Sequence, residues 1–371
     1  MSFIQYIARI QFGLESRLTI PHELELAGIR RPLIVADRGL EATGVLARAV
    51  EAIEGSHYPR FLDVPTPPTE EAVLAGLARY RAEGCDGVLA IGGGSAMDAG
   101  KAIALLATHQ GPLVRFLART GGSASIGRLA PIVAVPTTAG TGSEIGRGAS
   151  VTLDDGEKGV FLSPQLVPVA AVCDPELTIG LPPRLTAATG IDAFTHAFEA
   201  FTSAAYNPPA DAIALDAIAR IRAMLPRAVS QGGDLEVRSE VMMGATEAAM
   251  TTWKGLGATH ALSMPFDDLG LHHGTVVGVV LPHTVRSLRR AVPAERFERL
   301  CAALDSSPDG LEDDLLAFAR SLGLPGGLAE LGVDRGFLPT AAAIAETTPF
   351  NQTVPRRLST AEYLQIAEAA W

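Results

Sequence analysis

The sequence predicts an α/β half followed by an all-helical half, and three observations carry that prediction. Up to about residue 180, short apolar or β-branched runs alternate with helical spacings, as in a parallel sheet covered by helices. After Pro182-Pro183 strand signals give way to long helical patterns. At 371 residues the chain is too long for one small core. Two domains, 1–180 and 181–371, are therefore expected.

In the first half, Leu33-Ile34-Val35-Ala36 is a strand that ends at Asp37. Thr69 caps a helix with Val73, Leu74, Leu77 and Ala78 on its apolar face, closed by Gly84. Gly87-Val88-Leu89-Ala90-Ile91 is a second strand, followed at once by Gly92-Gly93-Gly94-Ser95 and a helix through Lys101. Glycines between a strand and a helix let backbone N–H groups approach an anion at the helix start; they equally suit a tight turn that binds nothing. A third run, Ile132-Val133-Ala134-Val135, leads into Pro136-Thr137-Thr138-Ala139-Gly140-Thr141-Gly142-Ser143-Glu144, whose hydroxyls and glycines suit phosphate or ribose oxygens. Asp154-Asp155-Gly156 joins the arms of a hairpin, with Lys158 on the second arm, and Val167–Val172 supplies a further strand. In a Rossmann fingerprint the glycine loop precedes the ribose-binding acid, whereas here Asp37 comes first, so a different doubly wound sheet is required.

In the second half, Asp192 and His196 are four apart on a helix running from about Thr186 to Thr202, which puts both on one face. They form either an ordinary helix pair or half of a site for Zn or Fe(II), the other half coming from elsewhere. Pro209 to about Ala228 has helical spacing, and the nearly uncharged Val241–Trp253 is apolar on most faces and so expected to be buried. His260 follows, then the adjacent pair His272-His273 at the start of a helix running to about Arg290. Ser359-Thr360-Ala361-Glu362 is a capping box opening the last helix.

Composition narrows the function. Apolar residues make up 47% and charged residues 19%, so most of the chain folds. A net charge of −11 argues against nucleic acid as partner. Cys85, Cys173 and Cys301 stand singly, as buried thiols in a reducing compartment do. Residues Met1–Tyr6 lack the pattern of a signal peptide, and no apolar run reaches membrane-spanning length. A cytoplasmic protein without membrane contact, acting on a small molecule, is expected.

Five motifs then fall in order: Gly92-Gly93-Gly94-Ser95-x-x-Asp98-x-x-Lys101; Pro136-Thr137-Thr138-x-Gly140-Thr141-Gly142-Ser143-Glu144; Thr189-Gly190-x-Asp192-x-x-x-His196; Gly255-Leu256-Gly257-x-x-His260-Ala261; and His273-Gly274. Together they resemble the iron-containing (group III) alcohol dehydrogenases. Within that family Ala171-Val172-Cys173-Asp174-Pro175-Glu176-Leu177-Thr178, Leu185-Thr186-Ala187-Ala188-Thr189-Gly190, Tyr206-Asn207-Pro208-Pro209-Ala210-Asp211 and Lys254-Gly255-Leu256-Gly257 look most like bacterial 4-hydroxybutyrate dehydrogenases. The resemblance implies the dehydroquinate synthase-like architecture, with an N-terminal α/β dinucleotide-binding domain and an all-α C-terminal domain carrying metal and substrate. It implies that Asp192, His196, His260 and His273 hold one divalent metal, Fe(II) or Zn, at the cleft between the domains. Gly92, Gly93, Gly94, Ser95 and Asp98 look like the pyrophosphate site; Thr137, Thr138, Thr141 and Ser143 line the nicotinamide side; and Lys158 reaches the cofactor ribose. Asp37 sits where a carboxylate selects NAD over NADP, by accepting from ribose hydroxyls and repelling a 2′-phosphate.

Two departures stand out. Four residues after His260 the family usually has a histidine assigned to proton relay, and here Met264 cannot carry a proton. Solvent or His272 would take that part. The family's Asn-Pro-Thr cofactor loop reads Pro67-Pro68-Thr69, which loses an amide contact to the nucleotide. The expected activity is NAD-linked interconversion of a short primary alcohol or ω-hydroxy acid, such as 4-hydroxybutyrate, with its aldehyde. Lys254 or Arg147, basic residues beside the motifs, would receive the substrate carboxylate, and a homo-oligomer, dimer or larger, is expected. A transhydrogenase that retains its NAD, a reductase of another small anionic aldehyde, a dehydroquinate-synthase-like lyase and a non-catalytic binder are the rivals.

Overall fold

The computed structural model describes residues 8–371. The expectation drawn from the first six residues lies outside them. The chain forms two compact units, one built from residues 8–138 with Gly142–Thr178, the other from Ala139–Thr141 with Ile179–Trp371. Three loop residues thus interrupt the contiguous division expected from the sequence: a side chain on Gly140 would meet the Thr189 side chain at 2.6 Å, so the loop is seated directly on that helix.

The first unit is a six-stranded sheet, parallel throughout, in the order β1-β8-β5-β4-β2-β3. Its strands are β1 (Arg9–Phe12), β2 (Pro32–Val35), β3 (Arg60–Phe61), β4 (Gly87–Gly92), β5 (Ile132–Pro136) and β8 (Ala170–Cys173). The four inner strands are buried at every position, which is why they read as continuous apolar runs rather than as alternation. Successive residues feed two cores. Leu33, Val35, Val88 and Ala90 enter one, and Ile34, Ala36, Leu89 and Ile91 the other. The covering helices are α1 (Ile20–Leu26), α2 (Arg38–Ala42), α3 (Val45–Ala49), α4 (Glu70–Ala82) and α5 (Gly94–Thr108). A separate antiparallel hairpin pairs β6 (Gly148–Thr152) with β7 (Lys158–Leu162).

The second unit is helical. Around its larger core pack α6 (Pro183–Thr202), α7 (Pro208–Ser230), α8 (Leu235–Thr251), α10 (His273–Ala291), α11 (Ala294–Ala303) and α12 (Leu311–Ser321). A second core joins part of α10 to α9 (Ala258–Asp267), α13 (Leu338–Thr347) and α14 (Thr360–Ala369). The capping box at Ser359 and Glu362 is formed as expected. Among the described residues no helix is long and apolar enough to cross a membrane.

Candidate metal centre and nucleotide site

Helix α6 brings Asp192 and His196 onto one face, and both are buried. Helix α9 delivers His260 and the first turn of α10 delivers His273. Gly274 lets α10 come close, since a side chain there would stand 2.0 Å from the Ala188 carbonyl oxygen on α6. The ligand atoms of Asp192, His260 and His273 lie within 4.8 Å of one another. His196 adjoins this trio through the same carboxylate oxygen: Asp192 Oδ1 is 3.4 Å from His260 Nε2, 3.7 Å from His196 Nε2 and 3.8 Å from His273 Nε2. Two ligands bound at about 2.1 Å in tetrahedral geometry would be ~3.4 Å apart.

The surroundings fit a cation. Asp192 Oδ1, His260 Nε2 and His196 Nδ1 are buried with no hydrogen-bond partner, a cost of ~1–3 kcal/mol for each group if nothing binds. Burial raises the Asp192 carboxyl, but the three imidazoles outweigh it and hold it well below the usual range. Burial pulls His196 down to about 4, so this ring is neutral and offers a lone pair. Burial also pulls on His260, yet Glu199 and Asp192 hold it up at about 9.

Two carboxylates missed in the sequence orient the rings. Glu199 Oε2 is 2.6 Å from His260 Nδ1, and Asp267 Oδ1 is 3.0 Å from His273 Nδ1. A carboxylate only accepts, so each Nδ1 keeps its proton and each Nε2 is the nitrogen a cation would engage, displacing from His260 the second proton it carries when no cation is bound. Glu199 was legible in principle, because it lies seven residues after Asp192 on the same helical face. Asp267 had no such signal, being on a different helix from its partner. Phe350 sets its ring edge-on to His260, with centroids 6.2 Å apart.

In the α/β unit, Asp37, Gly92, Gly93, Gly94, Ser95, Thr137 and Thr138 lie at or just beyond the C-terminal ends of β2, β4 and β5, where ligands bind in open parallel sheets. Asp37 follows β2, and its Oδ1 accepts from the Leu40 N–H at 3.0 Å, capping α2. Gly92 ends the neighbouring β4 at φ +149°; a side chain there would meet Ala96 Cβ at 2.7 Å and come within 3.8 Å of Asp37 Oδ2. Gly93 caps α5, with Gly94 and Ser95 in its first turn, so backbone N–H groups and the helix dipole face the sheet edge. The second loop closes on the first: Thr137 N–H donates to the Gly92 carbonyl at 3.0 Å, and a side chain on Gly93 would touch Thr138. Thr141 is exposed and groups with the helical unit. Lys158 stands on β7 opposite Thr152.

Two of the predicted residues have partners within the chain, and the first is Asp98. Its Oδ1 accepts from Ser143 Oγ at 2.8 Å and its Oδ2 from the Ser150 N–H at 2.8 Å, so Asp98 and Ser143 bind each other and tie the second loop to α5. Lys101, one turn on, completes the tie by donating to the Gly146 and Gly148 carbonyls, each at 2.8 Å. The second is Lys254. Its side chain is 1% exposed and its ammonium pairs with Asp211, which also takes both terminal nitrogens of Arg296. Arg147 lies just before β6, half-buried, and burial pulls its guanidinium pKa down. His272 is exposed at the start of α10, and Met264 sits partly buried on α9, one turn after His260.

Comparison with known proteins shows the family. A family model described as "Iron-containing alcohol dehydrogenase" matches residues 8–175, and one described as "Fe-containing alcohol dehydrogenase family, C-terminal" matches residues 186–371. The chain is 43% identical to a 4-hydroxybutyrate dehydrogenase of Cupriavidus necator over 380 aligned positions, covering 99% of each chain. Among solved structures it resembles a 1,3-propanediol oxidoreductase (TM-score 0.93, 31% identity, all of both chains). It also resembles a sulfoacetaldehyde reductase from Bifidobacterium kashiwanohense in complex with NAD+ (TM-score 0.90, 26% identity, 100% of this chain and 98% of that one).

Proposed function

Because this chain belongs to the iron-containing alcohol dehydrogenase family and is an oxidoreductase acting on CH–OH groups, we propose that it interconverts a short primary ω-hydroxy acid of the 4-hydroxybutyrate class with its aldehyde, using NAD. The observation that carries this reading is the unpaired, buried Asp192 Oδ1 with three imidazole nitrogens around it. Full-length similarity to a 4-hydroxybutyrate dehydrogenase supports the substrate class.

Asp192, His196, His260 and His273 would hold one divalent ion, Fe(II) or Zn, which when bound acts as a Lewis acid on the reacting oxygen. The rest falls to the chain's own residues. The α/β unit is the proposed NAD-binding domain, with Gly92, Gly93, Gly94 and Ser95 receiving the pyrophosphate at the start of α5 and Asp37 accepting from a ribose hydroxyl. Thr137, Thr138 and Thr141 flank the nicotinamide, Lys158 reaches the cofactor ribose, and Arg147 takes the substrate carboxylate. In oxidation the alcohol carbon gives a hydride to nicotinamide and the alcohol oxygen loses its proton. His272, exposed next to His273, passes that proton to water, a part the thioether of Met264 cannot play.

A panel of alcohols, hydroxy acids and aldehydes, assayed with NAD and NADP after loading with Fe(II) or Zn(II), tests the proposal. The expected result is metal-dependent NADH formation that is fastest with short ω-hydroxy acids. Equal rates for hydroxy acids and plain alcohols of the same length would refute the substrate class.

A further inference from the structure

We infer that Glu199 is a positioning residue that sets the affinity of the centre for a divalent cation, by closing the start of α9 and fixing the tautomer of His260 with one carboxylate; this rests on the metal reading above. Glu199 is 3% exposed. Its Oε2 accepts from the Gly257 N–H at 2.7 Å and from His260 Nδ1 at 2.6 Å, and its Oε1 accepts from the Thr259 N–H at 2.6 Å. Gly257 caps α9 and has no side chain to satisfy the free N–H groups of the first turn. Glu199 supplies that acceptor from another helix, at the end of α9 where negative charge is favoured.

The two tasks are mechanically one. His260 stands in the first turn of α9, so the group that seats the helix start also seats the ring. Because the carboxylate only accepts, Nδ1 keeps its proton, and Nε2, 3.4 Å from Asp192 Oδ1, is the nitrogen left for a cation. Gly257 makes this possible by being glycine: a side chain there would stand 2.8 Å from Glu199 Oε1. Three donors converge on the carboxylate. A glutamine would turn an NH2 toward at least one of them, leaving either the helix start or the His260 ring mismatched.

The test uses the full chain stripped of metal, with Zn(II) affinity measured by competition against a chromophoric chelator and thermal unfolding followed with and without Zn(II). Glu199→Gln is expected to weaken Zn(II) binding about 10- to 100-fold, the usual effect of losing a carboxylate behind a ligating histidine. Gly257→Ala, which crowds the carboxylate without removing its charge, is expected to act in the same direction and serves if Glu199→Gln does not fold. A folded Glu199→Gln chain that unfolds earlier without metal yet binds Zn(II) as tightly as wild type would assign Glu199 to helix capping alone and overturn the inference. A wild-type chain with no Zn(II) affinity would overturn the metal reading itself, a distinguishable result.

Discussion

Asp192 Oδ1 and His260 Nε2 stand 3.4 Å apart inside the helical unit, and neither has a hydrogen-bond partner. Two buried polar atoms left without hydrogen-bond partners weaken the folded chain unless something occupies the space they face. A cation bound only by the folded state should therefore stabilise it, by ~2.7 kcal/mol at a hundredfold excess over Kd. Calorimetric scans should show Tm rising with Zn(II) or Fe(II), with the increment lost in Asp192→Ala. A wild-type Tm indifferent to both metals would count against the site.

Cofactor choice is expected to turn on Asp37. Asp37→Asn keeps an acceptor for the Leu40 N–H, so α2 stays capped, but it removes the charge beside Gly92. The ratio of kcat/KM with NADP to that with NAD should rise about tenfold or more, a change of ~1.4 kcal/mol. An unchanged ratio in steady-state assays would remove Asp37 from cofactor selection.

Glu144 predicts a pH dependence of stability. Burial pushes its carboxyl up from 4.5 to about 7, against the pull of its own backbone N–H and Lys101. The folded chain then binds more protons than the unfolded chain between these values, so this contribution is complete below pH 4.5 and is lost as pH rises toward 7. The loss is on the order of 3 kcal/mol. In denaturant titrations across this window, Glu144→Gln should flatten the decline and be more stable than wild type at neutral pH. Parallel curves for the two proteins would contradict the assignment.

Arg147 and Lys254 should separate specificity from stability. Lys254→Met leaves Asp211 with Arg296 alone and empties a buried ion pair, so it should lower stability by ~3 kcal/mol with little change in the preference for hydroxy acids over plain alcohols. Arg147→Ala should raise KM for hydroxy acids about tenfold while sparing plain alcohols. The reverse pattern would return the carboxylate to Lys254.

Most of the sheet was legible because β2, β4, β5 and β8 are buried on both faces and so read as uninterrupted apolar runs. The edge strands β1 and β3 were not: one is half-exposed and carries Arg9 and Gln11, and the other is only two residues long. At the site, spacing paired Asp192 with His196, and the family resemblance singled out His260 and His273 beside them, but neither reveals partners. Asp98 reads as part of a phosphate loop, and the bond it accepts from the Ser150 N–H, on a later strand, is invisible in that motif. Lys254 reads as an available cation until α7 brings Asp211 to it. Chain separation hides such pairings, because they are set by packing between elements rather than by periodicity within one.

Metal dependence of hydride transfer tests the central claim most directly. The purified chain is stripped with chelator, reloaded with Fe(II) or Zn(II), and assayed for NADH formation from 4-hydroxybutyrate. The account predicts no turnover after stripping and restoration by a single ion per chain, with no restoration in Asp192→Ala. Turnover that survives complete stripping, or its absence from a fully reloaded chain with every alcohol and hydroxy acid tried, would contradict it.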